Sequence, residues 1–260
     1  GALVVHLINK GGERQLGGTW RVVPGLPPVG PATIRLRLPD PQRDGLMPRV
    51  LEAAAYMRAH GEYPVSLTDS QSPLDELVLI TGHERLYLWM YDEPALVHDL
   101  VALVSEAFIA WVEAQKAVTG EPRDVCHGEQ GVWIPPPCGV WIADDEAVNL
   151  PAYLYEEFLA PQYARIFRQF DGGVLHFCGN GAHLGPVIRR IDGLRAVNTG
   201  PMGCPAHFAA LQQALGGQIP MIYQELSPAE PEPYFGALLS RIDLRGVGGA
   251  PQVTDRVAGR

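Results

Sequence analysis

Apolar residues recur at helical spacing in two long stretches of the chain. Between Pro94 and Val118 they fall at Leu96, Leu100, Leu103, Val104, Phe108 and Trp111. This pattern predicts a long amphipathic helix, stopped by Gly120 and Pro122. Tyr153 to Phe170 reads as a second long helix, broken or kinked at Pro161. Leu46 to His60 is also helical in period and closes at Gly61. Between and after these lie short apolar runs of strand type: Tyr63 to Leu67, Gly173 to Phe177, Arg195 to Asn198 and Gln218 to Tyr223. Further helices are expected near His183 to Ile191, over Pro205 to Leu215 and over Pro233 to Ser240.

The alternation of strand and helix in the second half predicts a parallel sheet. Chain length favours an α/β fold of the TIM (β/α)8-type barrel, incomplete or decorated, formed as one domain over residues 1–260. The first forty or so residues, rich in Gly and Pro around a β-type run at Thr33 to Leu38, form an irregular lead-in. A doubly wound open sheet is the alternative, although no G-x-G-x-x-G follows the first strand.

Composition then narrows the function. The 260 residues are 47% hydrophobic and carry a formal charge of −9. No basic run is present, which argues against nucleic acid as a partner. No apolar stretch is read as reaching the roughly 18 residues of a membrane span, so no membrane association is expected. Gly1 to His6 lacks the basic n-region of a signal peptide. Four cysteines without C-x-x-C spacing fit a reduced, cytoplasmic setting.

In a parallel barrel the active site lies at the carboxyl ends of the strands. Polar clusters stand at those positions: Thr68-Asp69-Ser70-Gln71, His176-Phe177-Cys178-Gly179-Asn180, Asn198-Thr199 and Gln224-Glu225. Asp69, Gln71, Asn180 and Asn198 are therefore candidate catalytic residues. His176 and Cys178 are two apart on a strand, so their side chains share a face, with Cα atoms roughly 6–7 Å apart. An imidazole and a thiolate so placed can converge on one zinc ion; a hydrogen-bonded core histidine beside a packed cysteine has the same spacing. The long Gly- and Pro-rich segment after Cys126-His127-Gly128-Glu129 reads as a lid or binding loop. It runs into Asp144 and Asp145, candidates for a general base, an acceptor for a cationic ligand, a metal ligand or a helix cap. His183 falls in the first turn of a helix, where exposure is expected.

Several blocks resemble the uroporphyrinogen decarboxylase superfamily, which includes cobalamin-dependent thiol methyltransferases. They are Asp69-Ser70-Gln71-Ser72-Pro73-Leu74, Gly82-His83-Glu84-Arg85-Leu86, Met90-Tyr91-Asp92-Glu93-Pro94, Asp144-Asp145 with Tyr155-Glu156-Glu157-Phe158 and Pro161, and His176 to Asn180. Their order covers roughly residues 45 to 245. The resemblance implies a TIM barrel acting on a small-molecule substrate, with two branches of chemistry. The decarboxylases use no metal and carry an Arg-rich N-terminal block of the form R-Q-A-G-R-Y, which this chain lacks; Arg35 and Arg37 stand in another context. The methyltransferases bind zinc through H-x-C and a distant cysteine. His176 and Cys178 match the first two ligands, but the last cysteine here is Cys204. Glu225, Cys126, His127 and Cys204 are candidates to complete a modified site. The implied reaction is zinc-assisted methyl transfer to a thiol from methylcobalamin on a corrinoid partner protein. The alternatives are a metal-free decarboxylase, in which Asp69 stabilises positive charge on a pyrrole-like ring, and a ligand-binding barrel without catalysis.

Overall fold

A computed structural model of the protein describes residues 30–31, 34, 36–128, 132–199, 205–223 and 247–248. The chain forms two compact units, Gly1–Glu121 and Pro122–Arg260. Most of the lead-in and the Pro233 to Ser240 helix lie outside the described residues.

The first unit is helical where described. Helix α1 (Met47–His60) starts one residue later than its periodicity suggests, because Pro48 suits the first turn. Gly61 ends it in extended backbone, donating its N–H to the Met57 carbonyl. Helices α2 (Pro73–Thr81) and α3 (His83–Asp92) were not legible as periodic segments. Ser72 caps α2 by accepting the Asp75 N–H at 3.0 Å, with Pro73 in the first turn. Gly82, at φ 85°, provides the turn into α3.

Helix α4 (Pro94–Thr119) matches the periodic reading and ends at Gly120 in the left-handed conformation, φ 74°. Its buried stripe includes Val97, Leu100, Val104, Phe108, Trp111 and Val112. The expectation that no segment is apolar enough to span a membrane is corrected here. An 18-residue window of α4 has mean hydropathy 1.7 and passes by length and composition. More than half of that window is buried, 56%, and α4 packs on α1, α2 and α3. The stripe accounts for this apolarity as that of a core helix.

Tyr63 to Leu67 does not form the expected strand. Its outgoing end is held instead by a side chain: Thr68 donates its backbone N–H and its hydroxyl to Gln115 Oε1, at 2.8 and 2.9 Å. Asp69 lies outside any strand, and Gln71 forms an isolated β-bridge before α2. The described residues of Thr33 to Leu38 are likewise outside any strand.

The second unit holds the sheet. A short antiparallel pair, β1 (Cys126–His127) and β2 (Trp133–Ile134), occupies the Gly- and Pro-rich segment. Five parallel strands follow: β3 (Val140–Ala143), β4 (Gly173–Phe177), β5 (Leu194–Thr199), β6 (Met221–Tyr223) and β7 (Val247–Gly248). They lie side by side in sequence order. A doubly wound sheet reverses its order at a switch point, and these strands show no reversal. The fold is thus mixed α/β with a parallel sheet.

Helix α5 (Ala152–Leu154) passes through a π-helical turn (Tyr155–Leu159) into α6 (Ala160–Gln169). Pro161 lacks an N–H to continue the ladder, and the wider turn absorbs the mismatch. The Ala160 N–H reaches back five residues, to the Tyr155 carbonyl. Beyond β4, a 3-10 turn (Ala182–Leu184) and α7 (Gly185–Ile188) replace the longer helix expected near His183 to Ile191. Helix α8 (Pro205–Ala214) precedes β6. Gly173 lets β4 pack closely: a Cβ there would come within 2.3 Å of the Phe167 ring and 2.8 Å of Val140.

Candidate metal and active site

The site is assembled from three neighbouring strand ends. Register pairs Ala143 with His176 and His176 with Asn198. Parallel neighbours in register project to the same face, so Asn198 stands beside His176. The Nδ1 of His176 is hydrogen-bonded to Asn198 Oδ1, while Asn198 Nδ2 donates to the Ile222 carbonyl at 2.9 Å. A carbonyl only accepts, so the amide is oriented by its Nδ2 end and presents Oδ1 to the ring. The ring must then carry its proton on Nδ1. In the neutral imidazole, Nε2 is left with the lone pair, as a metal ligand requires.

That lone pair faces two further donors. Cys178 Sγ lies 3.8 Å from Nε2 and Asp145 Oδ1 lies 3.7 Å from it. The three donor atoms are all within 4.8 Å of one another. Zinc bonds of about 2.0 Å to nitrogen or oxygen and 2.3 Å to sulfur give tetrahedral edges of about 3.3–3.5 Å. The two separations from Nε2 are a few tenths of an ångström longer, and the donor chemistry suits zinc. His176 and Cys178 therefore fit the metal that the sequence suggested. His176 is buried, Cys178 half-buried and Asp145 exposed.

Asp144 and Asp145 divide their roles. Asp144 is fully buried, accepts the Tyr155 hydroxyl at 2.8 Å and makes no side-chain cap. Asp145 opens a 3-10 turn (Asp145–Asn149), and its Oδ1 accepts the Cys178 N–H at 2.8 Å. Of the two carboxylates, only Asp145 joins the cluster. Gly179, at φ 98°, turns the chain sharply after Cys178. Asn180 is exposed and accepts the Ala182 N–H at 3.2 Å, so it shapes that turn. His183 Nε2 donates to the Leu150 carbonyl at 2.9 Å.

Among the described residues, no other sequence candidate belongs to this donor group. Cys126 is buried on β1 and His127 follows it, and neither belongs to the donor group. Asp69 and Gln71 belong to the first unit, where Gln71 Nε2 donates to Asp69 Oδ2 at 3.2 Å. Glu225 and Cys204 lie outside the described residues. Two residues that periodicity did not single out help to build the site. Trp141 stacks beside the His176 ring, with centroids 6.1 Å apart and planes at 26°, and Tyr155 holds Asp144. Trp141 sits two positions before Ala143, the register partner of His176, which is the signal that could have found it.

A family model for uroporphyrinogen decarboxylase matches residues 16–120. That stretch, less than half of the chain, is similar to the family. It takes in the blocks from Asp69 to Pro94, and the His176 to Asn180 segment lies beyond it. Twelve chains of solved structures also match. One is a methyltransferase from Methanosarcina mazei, at TM-score 0.58 and 15% identity over 82% of this chain. The likeness is one of fold, and the match covers 61% of that methyltransferase's chain. No curated protein matches.

Replacing Asn198 tests the ring's support. Asn198→Ala is expected to weaken zinc binding about 10- to 100-fold, the usual cost of losing a histidine's outer partner. Asn198→Asp, which still accepts from Nδ1–H, should lose less. Competitive titration against a zinc chelator measures both.

Proposed function

We propose that this uroporphyrinogen decarboxylase-like protein transfers a methyl group from a methylcorrinoid to a thiol, with zinc held by His176 and Cys178. The observation that carries this reading is the convergence of Nε2 and Sγ, 3.8 Å apart, at the carboxyl end of β4. The methyltransferase fold neighbour supports the same choice. In this reading the parallel sheet closes into a (β/α)8-type barrel, and the methyl donor arrives on a corrinoid partner protein in a reducing compartment.

Bound zinc supplies Lewis acidity that keeps an acceptor thiol ionised near neutral pH. The chain's own residues prepare the place. Asn198 fixes the tautomer of His176, Trp141 covers one side of the ring, and the Gly179 turn brings Cys178 to the strand mouth. The half-exposed Cys178 and exposed Asp145 leave the outer side open to an incoming substrate. Overall, a carbon–sulfur bond forms, the methyl–cobalt bond breaks with its electron pair left on cobalt, and the thiol proton passes to solvent.

Incubation with methylcobalamin and a small thiol tests this, following loss of the methylcobalamin spectrum and appearance of the thioether. Thioether formation that a chelator abolishes and zinc restores is the expected result. Ligand binding without turnover would favour a non-catalytic barrel. The family match over residues 16–120 gives a second reading specific support: metal-free decarboxylation of a porphyrinogen-like carboxylate, with Asp69 stabilising the positive charge. Asp69→Asn would then abolish turnover, and chelators would leave it intact.

A further inference from the structure

The zinc reading leaves its third protein ligand unassigned, and the residues around Cys178 supply one. Asp145 Oδ1 lies 3.7 Å from His176 Nε2 and accepts the Cys178 N–H at 2.8 Å. That hydrogen bond uses one lone-pair direction of the oxygen, and a carboxylate has roughly four. The others remain for a metal. The bond also ties the carboxylate to the backbone of a second ligand, so the two are positioned together. Of the described residues, only Asp145, His176 and Cys178 form such a donor group.

Resting on the zinc reading, we propose that Asp145 is the third protein ligand, so that the centre is a His–Cys–Asp site with a single thiolate. Charge supports the assignment: thiolate and carboxylate together balance a divalent cation, as two thiolates would. Exposure supports it too. The Asp145 side chain is 47% exposed and that of His176 is 6% exposed. The metal would thus be anchored from the sheet side and open toward solvent, as a catalytic site with three protein ligands requires. A carboxylate is a harder donor than a second thiolate, so the site should accept cobalt(II) readily.

The test uses cobalt(II) and zinc on the full chain, with no turnover needed. Cobalt(II) loading of the native protein is expected to give the near-ultraviolet charge-transfer intensity of one thiolate. Asp145→Cys should roughly double that intensity, by adding a second cobalt–sulfur bond. Asp145→Asn keeps an acceptor for the Cys178 N–H but offers only a neutral amide to the metal. It should lower zinc affinity at least about tenfold if Asp145 is a ligand, and leave it unchanged if the residue only positions Cys178. A two-thiolate spectrum in the native protein would overturn the proposal and point to Cys204. An unaltered spectrum and affinity in Asp145→Asn would also overturn it, with Glu225 the next ligand to test. Because the native spectrum counts thiolates by itself, the proposal can fail even where a variant does not fold. Absence of metal from the native protein would overturn the zinc reading together with this one. Metal that is lost in His176→Ala and Cys178→Ala but kept in Asp145→Asn would overturn this one alone.

Discussion

His176→Ala is expected to reduce bound zinc from about one equivalent to less than about a tenth, and to stop thiol methylation. The size of the effect follows from the ligand's share of the site. Apparent zinc-binding free energies of about 10–16 kcal/mol, divided over four ligands, give about 2.5–4 kcal/mol each. Losing one ligand then costs about two to three orders of magnitude in affinity. The substitution also strands Asn198 Oδ1, which accepts from the ring, so a modest loss of thermal stability should accompany it. Metal analysis of the purified protein and the thioether assay read the two losses separately. A chelator should reproduce the activity loss in the native protein, and zinc should restore the native protein but not the variant. Native protein that methylates thiols with almost no zinc, undisturbed by His176→Ala, would sink the mechanism.

The location of this site was legible because strand period and strand end are local properties. Gly173 to Phe177 forms the strand its apolar run indicates, and His176 and Cys178 converge as their spacing implies. Asn198 was reachable by the same logic, through its position at the end of the next strand. The partnership of Asp145 with Cys178 was not, because 33 residues separate them and only the β3–β4 register brings them together. Tyr63 to Leu67 misled because an apolar run does not reveal whether a ladder partner exists; Gln115 takes that place. Helices α2 and α3 were hidden by their shortness, although Ser72-Pro73 followed by Asp75 is a readable start signal. The α4 reading held along its length, yet periodicity gave no warning of the buried charge near its end.

That charge carries the second large effect. Lys116 Nζ and Glu121 Oε2 are 2.6 Å apart, with side chains only 6% and 3% exposed. Glu121→Ala is expected to destabilise the protein by roughly 3–5 kcal/mol, because it removes a carboxylate paired with a buried ammonium group. The damage should concentrate at the end of α4. There Gly120 turns in the left-handed conformation, and the Arg58 guanidinium donates to the Val118 carbonyl at 2.8 Å. Replacing both partners, as Lys116→Met with Glu121→Leu, removes two desolvated charges at once and should recover most of the loss. Denaturant unfolding of the native protein, both single variants and the double variant closes the cycle. Single variants costing less than about 1 kcal/mol would show that the pair is hydrated, as surface ion pairs are. A double variant as unstable as the singles would instead make the pair's geometry, rather than its charge balance, what holds this corner of the first unit.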